Sequence, residues 1–92
     1  MTEEFLRRQE QNLLNRMAAV ERVIRSGRLD AGFKARSVFP SQQRALARLY
    51  TGNYGICVDC DRSIPRDRLE RLPGAIRCIE CQEIFERGAV AQ

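Results

Sequence analysis

Histidine is missing from this 92-residue chain. Its absence removes the Ser/His and Cys/His pairings on which most nucleophilic catalysis depends, along with the side chain most often used for acid–base work near neutral pH. The carboxylates are scattered among arginines and read as solvated or ion-paired, so no enzyme is expected. Long apolar runs are missing too. Nothing supplies the apolar core of a signal peptide or the about 18 apolar residues of a membrane span, and the opening stretch MTEEFLRRQEQNLLNR is charged throughout. A cytoplasmic protein with no membrane association is expected, in a reducing compartment that disfavours structural disulfides. Lysine is nearly absent: fifteen of the sixteen basic residues are arginine. Arginine suits bidentate contact with carboxylate or phosphate, and is also what a GC-rich genome produces.

The four cysteines all fall in YGICVDCDRSIPRDRLERLPGAIRCIECQ, residues 54–82, as two Cys-x-x-Cys pairs separated by seventeen residues. A disulfide framework, a redox pair and a metal site compete for this pattern. The reducing context and the paired spacing speak against disulfides. A thioredoxin-type redox site uses one such pair inside a βαβ unit, and no such unit is discernible. Two pairs about 15–20 residues apart are the spacing of a tetrahedral structural zinc, so Cys57, Cys60, Cys78 and Cys81 are the expected ligands of one Zn²⁺. Four thiolates fill the coordination sphere, whereas a catalytic zinc keeps a position open. A core of this size is marginal without a staple, and metal binding would be folding energy.

Around the cysteines, Gly55 and Asp61 flank the first tight turn, where aspartate tolerates a left-handed backbone. Turn signals at Ile64-Pro65 and Leu72-Pro73-Gly74 predict a short β-hairpin between the pairs. A helix with Ile79, Ile84 and Phe85 then runs from the second pair to Gly88. Knuckle, hairpin and helix resemble a treble-clef finger over residues 53–92.

Residues 1–52 read as helical. Leu6, Leu13, Met17, Val20 and Ile24 form the stripe of an amphipathic helix over about residues 2–26, with Thr2 as its cap, Glu3 and Glu4 in its first turn and Gly27 as its stop. Gln9 and Glu10 leave a polar gap, so the seam is too short for a long coiled coil and a monomer is expected. Residues 27–40 read as a connector with a loosely packed pair, Phe33 and Phe39. Ser41 then caps a helix over about residues 41–51, with Leu46, Leu49 and Tyr50 on one side and Gly52 closing it. The two helices pair antiparallel, giving a mainly α fold in which an N-terminal helical hairpin precedes a C-terminal four-cysteine finger. Residues 1–52 carry ten basic and five acidic side chains, a net of +5, against six and seven in residues 53–92.

From Leu49 to Gln82 the sequence closely resembles the C4 zinc finger of the DksA/TraR family. The matching features are Gly-x-Tyr-Gly before the first cysteine, Ile64, Arg68-Leu69, Pro73 and the seventeen-residue separation. The resemblance implies a bacterial transcription regulator that binds RNA polymerase directly. In that family the finger sits at the rim of the polymerase secondary channel, and a helical element reaches inward with acidic residues toward the catalytic magnesium. Long members carry Asp-x-x-Asp-x-Ala at the hairpin tip, where this chain has Asp30-Ala31. Short members carry their acids near the N-terminus, which makes Glu3 and Glu4 the other candidates. Turn former for Asp30 and helix-dipole acid for the glutamates are the structural alternatives. Long members also bind guanosine tetraphosphate through basic residues at positions where this chain has Leu72 and Gln82, so that nucleotide is not expected to bind, and the finger looks more like the short forms. Asp61 stands in place of the family's usual glycine. Two other readings compete: a zinc finger binding nucleic acid directly through the basic hairpin, and a zinc-stapled adaptor with a different partner.

Overall fold

The computed structural model describes residues 1–90. Helix α1 (Glu3–Ser26) starts as expected: Thr2 accepts a hydrogen bond from the Phe5 amide at 3.1 Å, and the two glutamates occupy the first turn. It ends at Gly27, whose φ of 70° is a left-handed conformation that other residues adopt only with strain. At 1.5 Å per residue α1 is about 36 Å long. The molecule measures 38 Å along its longest axis, so this one helix spans it.

The return arm differs from expectation. The connector shrinks to the turn at residues 27–30, after which the backbone is helical through α2 (Ala31–Phe33), a π-helical turn (Lys34–Val38) and α3 (Phe39–Thr51). Ser41 therefore lies inside a helix, and its hydroxyl donates to the Gly74 carbonyl at 3.2 Å instead of capping. Pro40 does not break the arm because the missing amide falls where the ladder is already widened. The Phe39 amide reaches five residues back to the Lys34 carbonyl, and the proline sits at the start of α3. Leu46 and Leu49 are half-buried, whereas Tyr50 is exposed and donates to Glu10 at 2.6 Å. α1 packs against α2, the π-helical turn and α3 in turn, making the predicted antiparallel hairpin.

Between the cysteine pairs the β-hairpin does not form. Strand-like pairing among the described residues is limited to one isolated antiparallel bridge, Ile56 with Ser63. The rest of the segment is α4 (Arg66–Arg71), which begins immediately after Pro65. A proline cannot donate to a ladder, but it is suited to a helix start, and Arg68 and Leu69 both bond back to its carbonyl. The treble-clef reading is thus left without its strands. α5 (Ile79–Val90) follows the second pair and continues past Gly88, a residue that a helix interior tolerates at about 1 kcal/mol.

One core joins the finger to the base of the hairpin: Phe5 and Leu13 of α1, Ala45 of α3, and Tyr54, Cys57, Ile64, Leu69, Ile76 and Cys78. Complete burial of Phe5, Leu13 and Leu69 is worth about 1.5–3 kcal/mol each. The polar gap in the α1 stripe falls in this core. Gln9 is only 1% exposed, and its amide donates to the Tyr54 hydroxyl at 3.0 Å and the Leu69 carbonyl at 2.7 Å. Tyr54 passes the chain on, donating to the Pro73 carbonyl at 2.8 Å. Burial raises the Tyr54 pKa, opposed by the Gln9 bond.

Candidate metal centre

The first knuckle is built by backbone. Gly55, at φ 84°, turns the chain so that its carbonyl receives the Ile64 amide at 2.7 Å. Cys57 then donates to the Arg62 carbonyl at 2.8 Å, and Asp61 adopts the left-handed conformation at φ 63° that its side chain tolerates. The second knuckle is tied to the first by the Val58 amide on the Ile76 carbonyl at 2.9 Å. Cys78 lies just before α5 and Cys81 in its first turn. The Pro73-Gly74 turn presses the finger onto the hairpin so closely that a Cβ at Gly74 would stand 3.0 Å from the Gln42 side chain.

These restraints bring Cys57, Cys60, Cys78 and Cys81 together, with all four sulfurs within 4.8 Å of one another. None is in a disulfide. Four sulfurs at about 2.3 Å from one ion would lie about 3.8 Å apart, and Cys60 and Cys78 are separated by 3.7 Å. The electrostatics favour a cation. Burial raises the Cys57 thiol, but backbone hydrogen bonds from Cys78, Cys60 and Asp59 outweigh this and bring it down to about 6. The sulfurs around it go the other way: Cys81 is raised, first by the Cys78 thiol and then by burial, and Cys78 is raised as well. Four thiols this close cannot all ionise alone, whereas a divalent ion deprotonates its ligands outright. The set is that of a closed structural zinc site, four-coordinate with no place for a reacting water.

Arg77 braces the centre from outside. It makes a 2.7 Å ion pair with Asp59 of the first knuckle, and its guanidinium lies 4.0 Å from the centre of the Phe85 ring on α5. Its carbonyl accepts from Arg68 at 3.2 Å. Neither Arg77 nor Gln9 was picked out from sequence. The signal for Gln9 was its position, three residues after Leu6 and four before Leu13, where the stripe requires a buried side chain.

The acidic candidates lie at opposite ends. Asp30 is in the exposed turn at the hairpin tip, 4.0 Å from Lys34. Glu3 and Glu4 are exposed at the other end of α1, beside the finger, and Glu3 is paired with Arg7 at 2.8 Å. Leu72 is exposed, and the half-buried Gln82 donates to Glu86 at 3.1 Å.

Comparison with known proteins accounts for this architecture. The prokaryotic dksA/traR C4-type zinc finger family matches residues 52–87. Residues 52–87 are thus similar to that finger, and the four cysteines within them are positioned to hold one zinc ion. A solved structure from Chlamydia trachomatis L2, described as the RNA polymerase binding protein and transcriptional regulator Dks, superposes with a TM-score of 0.80 at 26% identity, covering 97% of this chain and 95% of that one. Transcription factor DksA2 from Pseudomonas aeruginosa gives 0.52 at 26% identity, covering 94% and 81%. Among curated sequences, an uncharacterised 8.2 kDa protein of Escherichia phage P2 is 45% identical over 31 residues, 34% of this chain and 42% of the phage protein. An uncharacterised protein of Aquifex aeolicus (strain VF5) is 42% identical over 43 residues, 47% of this chain and 30% of its own length. The match to these curated relatives thus spans less than half of their length. No helix among the described residues is long and apolar enough to cross a membrane.

Proposed function

We propose that this protein is a bacterial transcription regulator that binds RNA polymerase at its secondary channel, residues 53–92 acting as a zinc-locked anchor and residues 1–52 as a probe. The observation that carries this is similarity along nearly the whole chain, hairpin included, to a protein described as an RNA polymerase binding regulator. Similarity confined to the finger would have left the hairpin open to any task. Cys57, Cys60, Cys78 and Cys81 are the zinc ligands, and the metal supplies folding energy and no chemistry. The protein has no catalytic activity of its own, works as a cytoplasmic monomer, and acts without guanosine tetraphosphate, since Leu72 and Gln82 offer no cation to phosphate.

Asp30 is favoured over Glu3 and Glu4 as the residue directed to the polymerase active site. A probe anchored by the finger must end as far from it as possible. Asp30 is at the far end of a helix about 36 Å long, whereas the glutamates adjoin the finger. The test is retention of purified core polymerase on the immobilised zinc-loaded protein, paired with in vitro transcription by Asp30→Asn. Retention with loss of regulation in the Asn variant supports the reading. Absence of retention at micromolar protein removes polymerase as the partner, and unchanged regulation returns Asp30 to a turn former.

A further inference from the structure

The end of the hairpin has a composition that an acidic probe does not explain. From Glu21 to Arg36 the chain carries five basic side chains and two acidic ones. Both acids are engaged: Glu21 pairs with Arg25, and Asp30 has Lys34 beside it. Arg22, Arg28 and Arg36 are exposed and make no ion pair among the described residues. In the same few turns Leu29 is fully exposed and Phe33 is 59% exposed. Arg36 is also directed toward the turn. Its guanidinium folds back over Gly32, where a Cβ would come within 3.0 Å of Nη1, so the missing side chain at Gly32 leaves room for this cation over the residue that precedes Phe33. The π-helical turn Lys34–Val38 follows at once, an irregularity that recurs at functional positions in helices.

We propose that the hairpin tip is a binding site for single-stranded nucleic acid, in which Phe33 stacks on a base and Arg22, Arg28 and Arg36 contact phosphates. An exposed aromatic ring interleaved with unpaired cations is the combination that holds single strands, because every base has a π-face and the cations follow the backbone. A duplex offers the phosphates but keeps its base faces stacked, so Phe33 distinguishes the two. An acidic, apolar pocket on a protein is the rival partner for such a surface. The ring and the three unpaired arginines favour the polyanion, and no residue of the finger takes part.

The experiment is fluorescence anisotropy of a labelled single-stranded oligouridylate with the zinc-loaded full chain alone, titrated with salt from about 50 to 200 mM. With no polymerase present, failure here leaves the polymerase-binding reading standing. Micromolar binding is expected at low salt, with a log–log salt slope of about −2 for three phosphate contacts on a single strand. Phe33→Ala weakens it about tenfold. Arg28→Ala with Arg36→Ala flattens the slope by about 1.4, while Arg62→Ala with Arg71→Ala, which removes the same charge from the finger, changes nothing. All these positions are exposed, and unchanged circular dichroism and zinc content establish that the variants fold. The proposal is overturned if the oligonucleotide does not bind at low salt, if the duplex of the same sequence binds as well as the strand, or if the finger variants lose as much as the tip variants. It is equally overturned, in favour of the protein pocket, if Phe33→Ala binds RNA normally but is no longer retained on core polymerase.

Discussion

The base of the hairpin and its tip are made from the same two helical arms and are held in opposite ways. From Phe5 to Val20, and again from Gln42 to Cys78, buried side chains recur along the chain, and they form a core that runs through the metal centre. Between Glu21 and Ser41 no side chain is fully buried. Folding energy is therefore concentrated where the finger docks, and the far end depends on helix continuity and capping for its order. Weakly packed segments open locally at low free energy, and they are where binding surfaces are usually found. The difference teaches that packing and the metal centre restrain one region, whereas the other is held by little beyond its own helices.

Removing the staple should separate the two most sharply. Cys78→Ser leaves three sulfurs and forfeits about 10 kcal/mol or more of metal-coupled folding. The variant is expected to purify without stoichiometric zinc and to lose the circular dichroism of α4 and α5, and full helicity in a zinc-free sample would break the comparison. Gln9→Ala comes next. It strips the Leu69 carbonyl of its donor inside the core and opens a cavity, at a cost of about 3 kcal/mol in denaturant unfolding. A loss under about 0.5 kcal/mol, the range of ordinary surface changes, would mean that the finger is not seated on α1 through this bond. Arg77→Ala, which frees Asp59 and uncovers Phe85, should cost about 1 kcal/mol while zinc stoichiometry holds. Smallest of all, Leu29→Ser should move stability by no more than about 0.5 kcal/mol, since its side chain touches little. A larger loss would reveal packing at the tip.

Much of this was legible in the sequence wherever the signal was local. The two Cys-x-x-Cys pairs met as their spacing required, and Thr2, Gly27, Gly52, Gly55 and Asp61 adopted the caps and turns that their chemistry favours. The hairpin was legible from the α1 stripe. What failed involved residues whose roles depend on tertiary context. Pro40 and Ser41 read as a helix boundary, but a π-helical turn absorbs the missing amide, and the serine serves the Gly74 carbonyl across the interface. Pro65 and the Pro73-Gly74 turn read as the ends of strands and instead delimit α4. Gln9 read as a gap because a polar residue is buried only when partners await it, and Tyr54 and Leu69 lie 45 and 60 residues along the chain.

The claim underlying all of this is that metal, finger and hairpin base fold as one unit from which a loosely held tip projects. Native-state hydrogen exchange of the zinc-loaded and chelated protein tests it directly. Strong protection confined to the first half of α1, the second half of α3 and residues 54–81, lost together on chelation, with fast exchange at residues 21–38 in both states, is the predicted result. Protection at residues 21–38 equal to that of the base, or a finger whose protection survives chelation, would contradict it.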